Sequence, residues 1–239
     1  VSGPSGQMTW IRGGPTSLDR RNIKEAIDNS LLRAQTDYID LYQVHWPDRY
    51  VPMFGETEYD PARQYNHVSF EEQLDALGRA VDAGKIRFIG VSNETPYGVM
   101  KFLQAAENNP AYPRIISVQN AYNLLCRNFD SGLAECCHLE RVRLLAYSPL
   151  AMGLLSGKYS EGESRYNLSN HTIREATKAY ISIAERYGIH PVSLAIAFVL
   201  RHPVVSSAIF GATKLWQLEE VVKACEVKLD PEIIAEIDE

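Results

Sequence analysis

Residues 36–48 read TDYIDLYQVHWPD: a polar start, a run of β-branched and aromatic residues, then a histidine ahead of a Trp-Pro break. The run is too short for a buried helix and stops on turn chemistry, so it predicts a strand from Tyr38 to Trp46 with His45 at its C-terminal end. Four further runs of this kind follow: Ile86 to Val91 (IRFIGV), Ile115 to Gln119 (IISVQ), Arg143 to Tyr147 (RLLAY) and Val204 to Phe210 (VVSSAIF). Each is apolar on both faces, as expected of strands buried under helices. Helical patterns separate them. Arg20 to Gln35 sets Ile23, Ala26, Ile27, Leu31 and Ala34 on one stripe, and Ser69 to Ala83 does the same with Phe70, Leu74, Leu77 and Val81 before Gly84 in the C′ position. Further helices are expected over Pro96–Ala106, Asp130–Leu139, Thr172–Tyr187, Pro191–Leu200 and Leu215–Ala224. Strands alternating with helices mean βα units and a parallel sheet, and no linker or low-complexity tract divides residues 1–239, which read as a single domain.

Composition narrows the function. The 239 residues are 45% hydrophobic and 23% charged, with 24 basic against 30 acidic side chains and a net charge of -6. No basic field exists to hold nucleic acid or an anionic membrane, so a small-molecule partner is expected. Cys126, Cys136, Cys137 and Cys225 are too few for a disulfide scaffold, and no run has the length of a membrane span or a secretory segment. A reducing, cytoplasmic setting is expected, with an organelle left open because the sequence starts at Val1. Cys136, Cys137 and His138 lie about 100° apart on their helix and cannot converge on one zinc ion. No strand end carries a His-x-His or carboxylate cluster, which disfavours a metal-dependent barrel hydrolase. The stretch GLLSGK (Gly153 to Lys158) has too few residues between its glycines for a phosphate-binding P-loop, and Tyr159 follows where Ser or Thr is required.

Taken singly, the candidate residues each have two readings. His45 ends a strand, where barrel chemistry is built, or is a satisfied rim histidine. Ser92, Asn93 and Gln119 are polar groups at strand ends, or helix caps and turn formers. Tyr147 can stack on a planar ligand or fill the core. Gly211 to Lys214 offers free backbone N–H groups and a cation to a phosphate, or is an ordinary helix start.

Five segments in order remove much of this ambiguity. TDYIDLYQVHWPD, GKIRFIGVSN (Gly84–Asn93), SVQNAYNLL (Ser117–Leu125), AYSPLAMGLLSGKY (Ala146–Tyr159) and IFGATKLWQLEE (Ile209–Glu220) together resemble the aldo-keto reductase family. The long insertion between His45 and Ser69 and the YSPL segment resemble its Tas-like, potassium-channel-β-like subgroup. The resemblance implies a (β/α)8 barrel that binds NADPH without a Rossmann motif and reduces aldehydes or ketones with an Asp, Tyr, Lys and His on its C-terminal rim. Only five strands are readable here, and residues 1–19 are rich in Gly, Pro and Ser, so a partial barrel lacking the first three units is expected. Of the catalytic set only His45 has a match, and the chain as given is expected to be inactive.

By the same resemblance His45 orients the carbonyl, Ser92, Asn93 and Gln119 hold the nicotinamide carboxamide, and Tyr147 stacks on the ring. Ser148, Pro149, Leu150 and Lys158 follow the pyrophosphate, Arg165 lies near the adenosine, and Gly211, Thr213, Lys214, Gln217 and Glu220 hold the 2′-phosphate and adenine. Three departures stand out. Val221 replaces a frequent asparagine, which should weaken the cofactor by about 1 kcal/mol. Ala34 replaces a frequent leucine, which suggests an under-filled helix–sheet contact. A shortened loop after Tyr159 puts cofactor retention in doubt. Tyr50, Phe54, Tyr59 and Tyr65 in the insertion either line an apolar pocket or pack the loop. The first and last strands read as exposed sheet edges, which predicts low solubility or self-association. The alternative function is a non-catalytic NADP(H)-binding regulatory or scaffold subunit resembling channel β subunits.

Overall fold

The computed structural model describes residues 1–4, 17–53, 56, 58–158 and 170–239. These form two compact units: residues 1–119 with 136–142, and residues 120–135 with 143–239.

In the first unit, β1 (Ile39–Val44) pairs in parallel with β2 (Ile86–Ser92), and β2 with β3 (Ile115–Ala121). The register sets Val44 beside Val91 and Ser92 beside Gln119, so the C-terminal ends of all three strands finish together. Between them run α1 (Arg20–Ala34), α2 (Phe70–Asp82) and α3 (Pro96–Asn108). Each helix begins where a short polar side chain replaces a missing backbone partner: Asp19 accepts from the Asn22 N–H at 2.7 Å, Ser69 from Glu72 at 3.1 Å, and Thr95 from Gly98 at 3.3 Å. Gly84 follows α2 at φ +71°, the left-handed conformation that the C′ reading requires.

In the second unit, β4 (Arg143–Tyr147) pairs in parallel with β5 (Val205–Ile209). Helices α5 (His171–Arg186), α6 (Pro191–Leu200), α7 (Leu215–Ala224) and α8 (Pro231–Asp238) belong to it, and the short α4 (Leu133–Leu139) precedes β4. Helix α6 is buried along almost its whole length, from Val192 to Val199. No single helix among the described residues is long and apolar enough to cross a membrane.

The expected strands and helices are all present, shifted by a few residues at their ends, and two features differ. Helix α8 was not anticipated, although Asp230-Pro231 opens it and Ile233 and Ile237, one turn apart, are both buried. The expectation that every strand is buried on both faces is corrected. In β1, Tyr42 and Val44 are buried while Leu41 and Gln43 on the opposite face are only half-buried, and Phe88 of β2 is 53% exposed. Burial on the face of Phe88 is uneven, since Ile86, Gly90 and Ser92 of the same strand are buried. Ala34 is exposed, so the under-filled contact expected there does not exist. In the insertion, Tyr50 is buried, stacks on Tyr59 at 5.4 Å and lies under Arg63 at 4.2 Å, while the Tyr65 hydroxyl donates to the Asp48 carbonyl. These tyrosines pack the loop; Phe54 lies outside the described residues.

Candidate functional site

The first unit gathers one set of predicted residues at the C-terminal ends of its strands. His45 directly follows β1, exposed, with its ring 4.5 Å from that of Trp46, which is fully buried. Asn93 sits in the left-handed region at φ 55° just after β2 and donates from Nδ2 to the His45 carbonyl at 2.8 Å. Its backbone N–H donates to the Gln119 carbonyl at 3.0 Å, and the buried Ser92 hydroxyl donates to the same oxygen at 2.6 Å. Gln119 in turn donates from Nε2 to Gln43 Oε1 at 3.2 Å. The structure thus joins His45, Ser92, Asn93 and Gln119 through one hydrogen-bond lattice, and Gln43 is a member that the sequence reading missed. Strand alternation could have found it, because residues 43 and 45 face the same way.

Burial of part of its ring, with the chain's amino group adding a smaller repulsion, holds the His45 pKa below the usual imidazole value. The neutral form is therefore favoured near pH 7, leaving one ring nitrogen as donor and the other as acceptor.

The loop that follows His45 is anchored by a buried ion pair. Arg49 donates from both terminal nitrogens to Glu94, at 2.9 and 2.7 Å, and to the Thr95 hydroxyl at 3.0 Å. The Glu94 side chain is only 2% exposed. Arg49 also lies 5.5 Å from the Phe70 ring centre and 5.7 Å from that of Tyr97. A bidentate pair of this kind fixes the direction of the chain on either side of it.

The second unit holds a cavity of about 570 Å3, within the range of small-molecule and cofactor sites. Tyr147, Ser148, Pro149, Leu150 and Lys158 line one side, and Gly211, Thr213, Gln217 and Glu220 another. Lys214 caps α7 and is exposed without lining the cavity, and Arg165 lies outside the described residues. The lining also includes Val221, at the position where the resemblance led one to expect an asparagine, and His190, Val192, Phe210 and Trp216, which the sequence reading did not place there. His190 stood directly before Pro191, a helix-start signature that could have marked it.

The loop after β4 is built in an uncommon conformation. Ser148, Ala151 and Met152 have φ of 53°, 46° and 56°, and Gly153 has φ 95°. Non-glycine residues in this region cost about 1–2 kcal/mol each, so neighbouring contacts must hold the loop. Asn123 supplies one, donating to the Ser148 carbonyl at 2.9 Å, and Tyr122 supplies another through its N–H to the Tyr147 carbonyl at 3.3 Å. Tyr147 is half-buried, and burial pushes its hydroxyl pKa up.

Two expectations need correction. The backbone N–H groups of Thr213 and Lys214 are not free: both donate to Gln217 Oε1, at 2.8 and 3.1 Å, because a glutamine three residues into a helix reaches back to cap it. Val221 is more than a missing polar contact, since it is buried with Val192, Ile196 and Ala224. Elsewhere Cys137 is buried and its thiol is pushed up to about 12 by desolvation. Among the described residues, no three His, Cys, Asp or Glu side chains are placed to hold a metal ion.

The family signature of the aldo/keto reductases matches residues 6–239. Protein tas of Escherichia coli K12 is 44% identical over 249 aligned residues, spanning 100% of this chain and 72% of its own length. An aldo-keto reductase of Babesia bovis is 41% identical, over 92% of this chain and 85% of its own length. Aldo-keto reductase YhdN of Bacillus subtilis is 33% identical, over 84% of this chain and 57% of its own. The chain belongs to the aldo/keto reductase family, oxidoreductases that act on small carbonyl compounds.

Proposed function

We propose that the chain binds NADP(H) and carries the cofactor-holding part and the histidine of an enzyme that reduces aldehydes or ketones to alcohols. The cavity of the second unit is the observation that supports this most. Its lining brings together Ser148, Lys158, Gly211, Thr213, Gln217 and Glu220, the residues that the family resemblance assigns to the pyrophosphate, 2′-phosphate and adenosine. The donor set suits such a ligand: a lysine cation and hydroxyls for phosphate oxygens, with Leu150, Phe210 and Trp216 as apolar walls.

Bound NADPH would supply the hydride. The chain's own residues would do the rest: a neutral His45 donates a hydrogen bond to the carbonyl oxygen, favouring the charge that develops there during reduction. Gln119, whose Nε2 is held by Gln43, and Asn93 would orient an amide such as the nicotinamide carboxamide. No Asp, Tyr and Lys of these 239 residues are assigned to the proton-donating set, and the chain by itself is proposed not to turn over.

A regulatory or scaffold role is the second reading. Titration of the chain with NADPH, read by fluorescence quenching, tests the first reading, with aldehyde-dependent loss of reduced-nicotinamide absorbance followed in parallel. Binding without turnover is expected. No binding would overturn the cofactor assignment, and turnover would overturn the assigned inactivity.

A further inference from the structure

The three strands of the first unit set Gln43, Gly90 and Ser117 side by side, one pleat before the pair Ser92 and Gln119. The pairing slips at this point: Ile89 faces Ile115 but Gly90 faces Ser117, so Ile116 is an extra residue in β3. A bulge of this kind re-aims the side chain beside it. Here the Ser117 hydroxyl lies over Gly90, where a Cβ would stand 2.3 Å from Ser117 Oγ and 3.3 Å from Gln43 Cγ. The glycine thus lets a hydroxyl and an amide approach each other across the strand that separates them. Ser117 is only 4% exposed. Among the described residues neither its hydroxyl nor Gln43 Nε2 has a hydrogen-bond partner, and both atoms are shut off from solvent. The other end of the Gln43 amide is committed, because its Oε1 accepts from Gln119 Nε2 at 3.2 Å.

A buried polar group left without a partner costs its full desolvation, and two such groups at one place double the deficit. Immobilising one water molecule costs less and can satisfy both. Water also fits the donors and acceptors present. It accepts from Gln43 Nε2 and shares a hydrogen bond with Ser117 Oγ, and the Ser117 carbonyl, 3.1 Å from the same Cβ point, offers the third contact usual for a buried water. If both glutamine amides turned over, the unmet donor would become an unmet acceptor, to which water could donate instead.

We propose that Gln43 and Ser117 hold a single buried water molecule across Gly90, and that this water sets the Gln43 amide on which Gln119 rests. The site stands apart from the NADP(H) reading, so its test needs no cofactor. Magnetic relaxation dispersion of the water oxygen nucleus, measured on the whole chain, counts long-lived waters and is blind to hydroxyl protons. Ser117→Ala should lower the count by one, Gln43→Leu by one, and the double variant by one again, because both residues hold the same molecule. In Ser117→Ala, solvent exchange of the Gln119 side-chain amide should quicken about fivefold, as for one weakened hydrogen bond, while the Trp46 indole N–H keeps its rate. An unchanged count in either single variant, or a loss of two in the double variant, would overturn the water site. Gln119 exchange that stays the same, or that quickens together with Trp46, would overturn the link to Gln119. Should a variant fail to fold, a crystal structure of the wild type decides. A water within hydrogen-bond reach of both atoms is expected, and a direct Gln43–Ser117 bond or an empty gap between them overturns the proposal.

Discussion

The two units handle polar groups in opposite ways. Around His45, side chains are spent on one another: Ser92 and Asn93 donate to backbone carbonyls, Gln119 donates to Gln43, and Arg49 locks onto Glu94. Around the cavity of the second unit, apolar walls dominate, and the polar groups in the lining include Lys158 together with Thr213 and Glu220, each of which has one side-chain neighbour, Gln217 and Ser193 respectively. The first arrangement resists deformation; the second can exchange partners with a ligand. Substitutions should consequently register as stability in the first unit and as affinity in the second.

The largest effect should come from the buried ion pair. Glu94→Ala strands the Arg49 guanidinium and should cost about 3–5 kcal/mol, read as lost amide protection over α3 and β2. Gly98→Ala attacks the same pair by sterics, because a Cβ there would stand 1.9 Å from Glu94 Oε2. A loss under about 1 kcal/mol for either would show that this pair is solvated and that the contrast between the units is false. Val221→Asn probes the boundary in the second unit. Placing an amide among Val192, Ile196 and Ala224 should cost about 1–3 kcal/mol in urea unfolding. An asparagine that leaves stability unchanged and tightens NADPH would instead place residue 221 among the ligand contacts.

Lys158→Ala should leave the unfolding midpoint unchanged and raise the NADPH Kd about five- to tenfold, as expected for one lost phosphate contact. An equal loss for nicotinamide riboside, which carries no phosphate, would contradict that placement. The smallest effect is in pH. Burial depresses the pKa of His45 in one unit and of His202 in the other, the latter partly opposed by Asp130. Unfolded histidine binds the proton more readily, so their contribution is complete above about pH 6.5 and is lost as pH falls through that value toward the lower folded pKa. His45→Gln and His202→Gln should each flatten part of the decline in urea midpoint on acidification, and an unchanged slope in the double variant would disprove the assignment.

Much of this was legible in the sequence for reasons that can be named. Apolar runs and cap residues mark the βα units because strands and helix ends obey local rules, and Arg143–Tyr147 and Leu215–Ala224 are found at the expected residues. The reach of one side chain to another across elements obeys no such rule. Gln43 touching Gln119, Ser193 touching Glu220, and Gln217 turning back on Thr213 depend on register and helix packing, which a single sequence does not display. The exposed face of Phe88 was missed for a related reason: hydrophobicity in a strand says that burial is favourable, not which neighbour provides it.

The indoles have a practical consequence. Trp46 is sealed inside the first unit, while Trp216 stands 59% exposed at the wall of the second unit's cavity. With Trp10 replaced by phenylalanine, the two would emit at different wavelengths, a blue-shifted signal for the first unit and a red-shifted one for the second. Unfolding of one unit and occupancy of the other could then be followed in a single cuvette, with the light itself telling the two events apart.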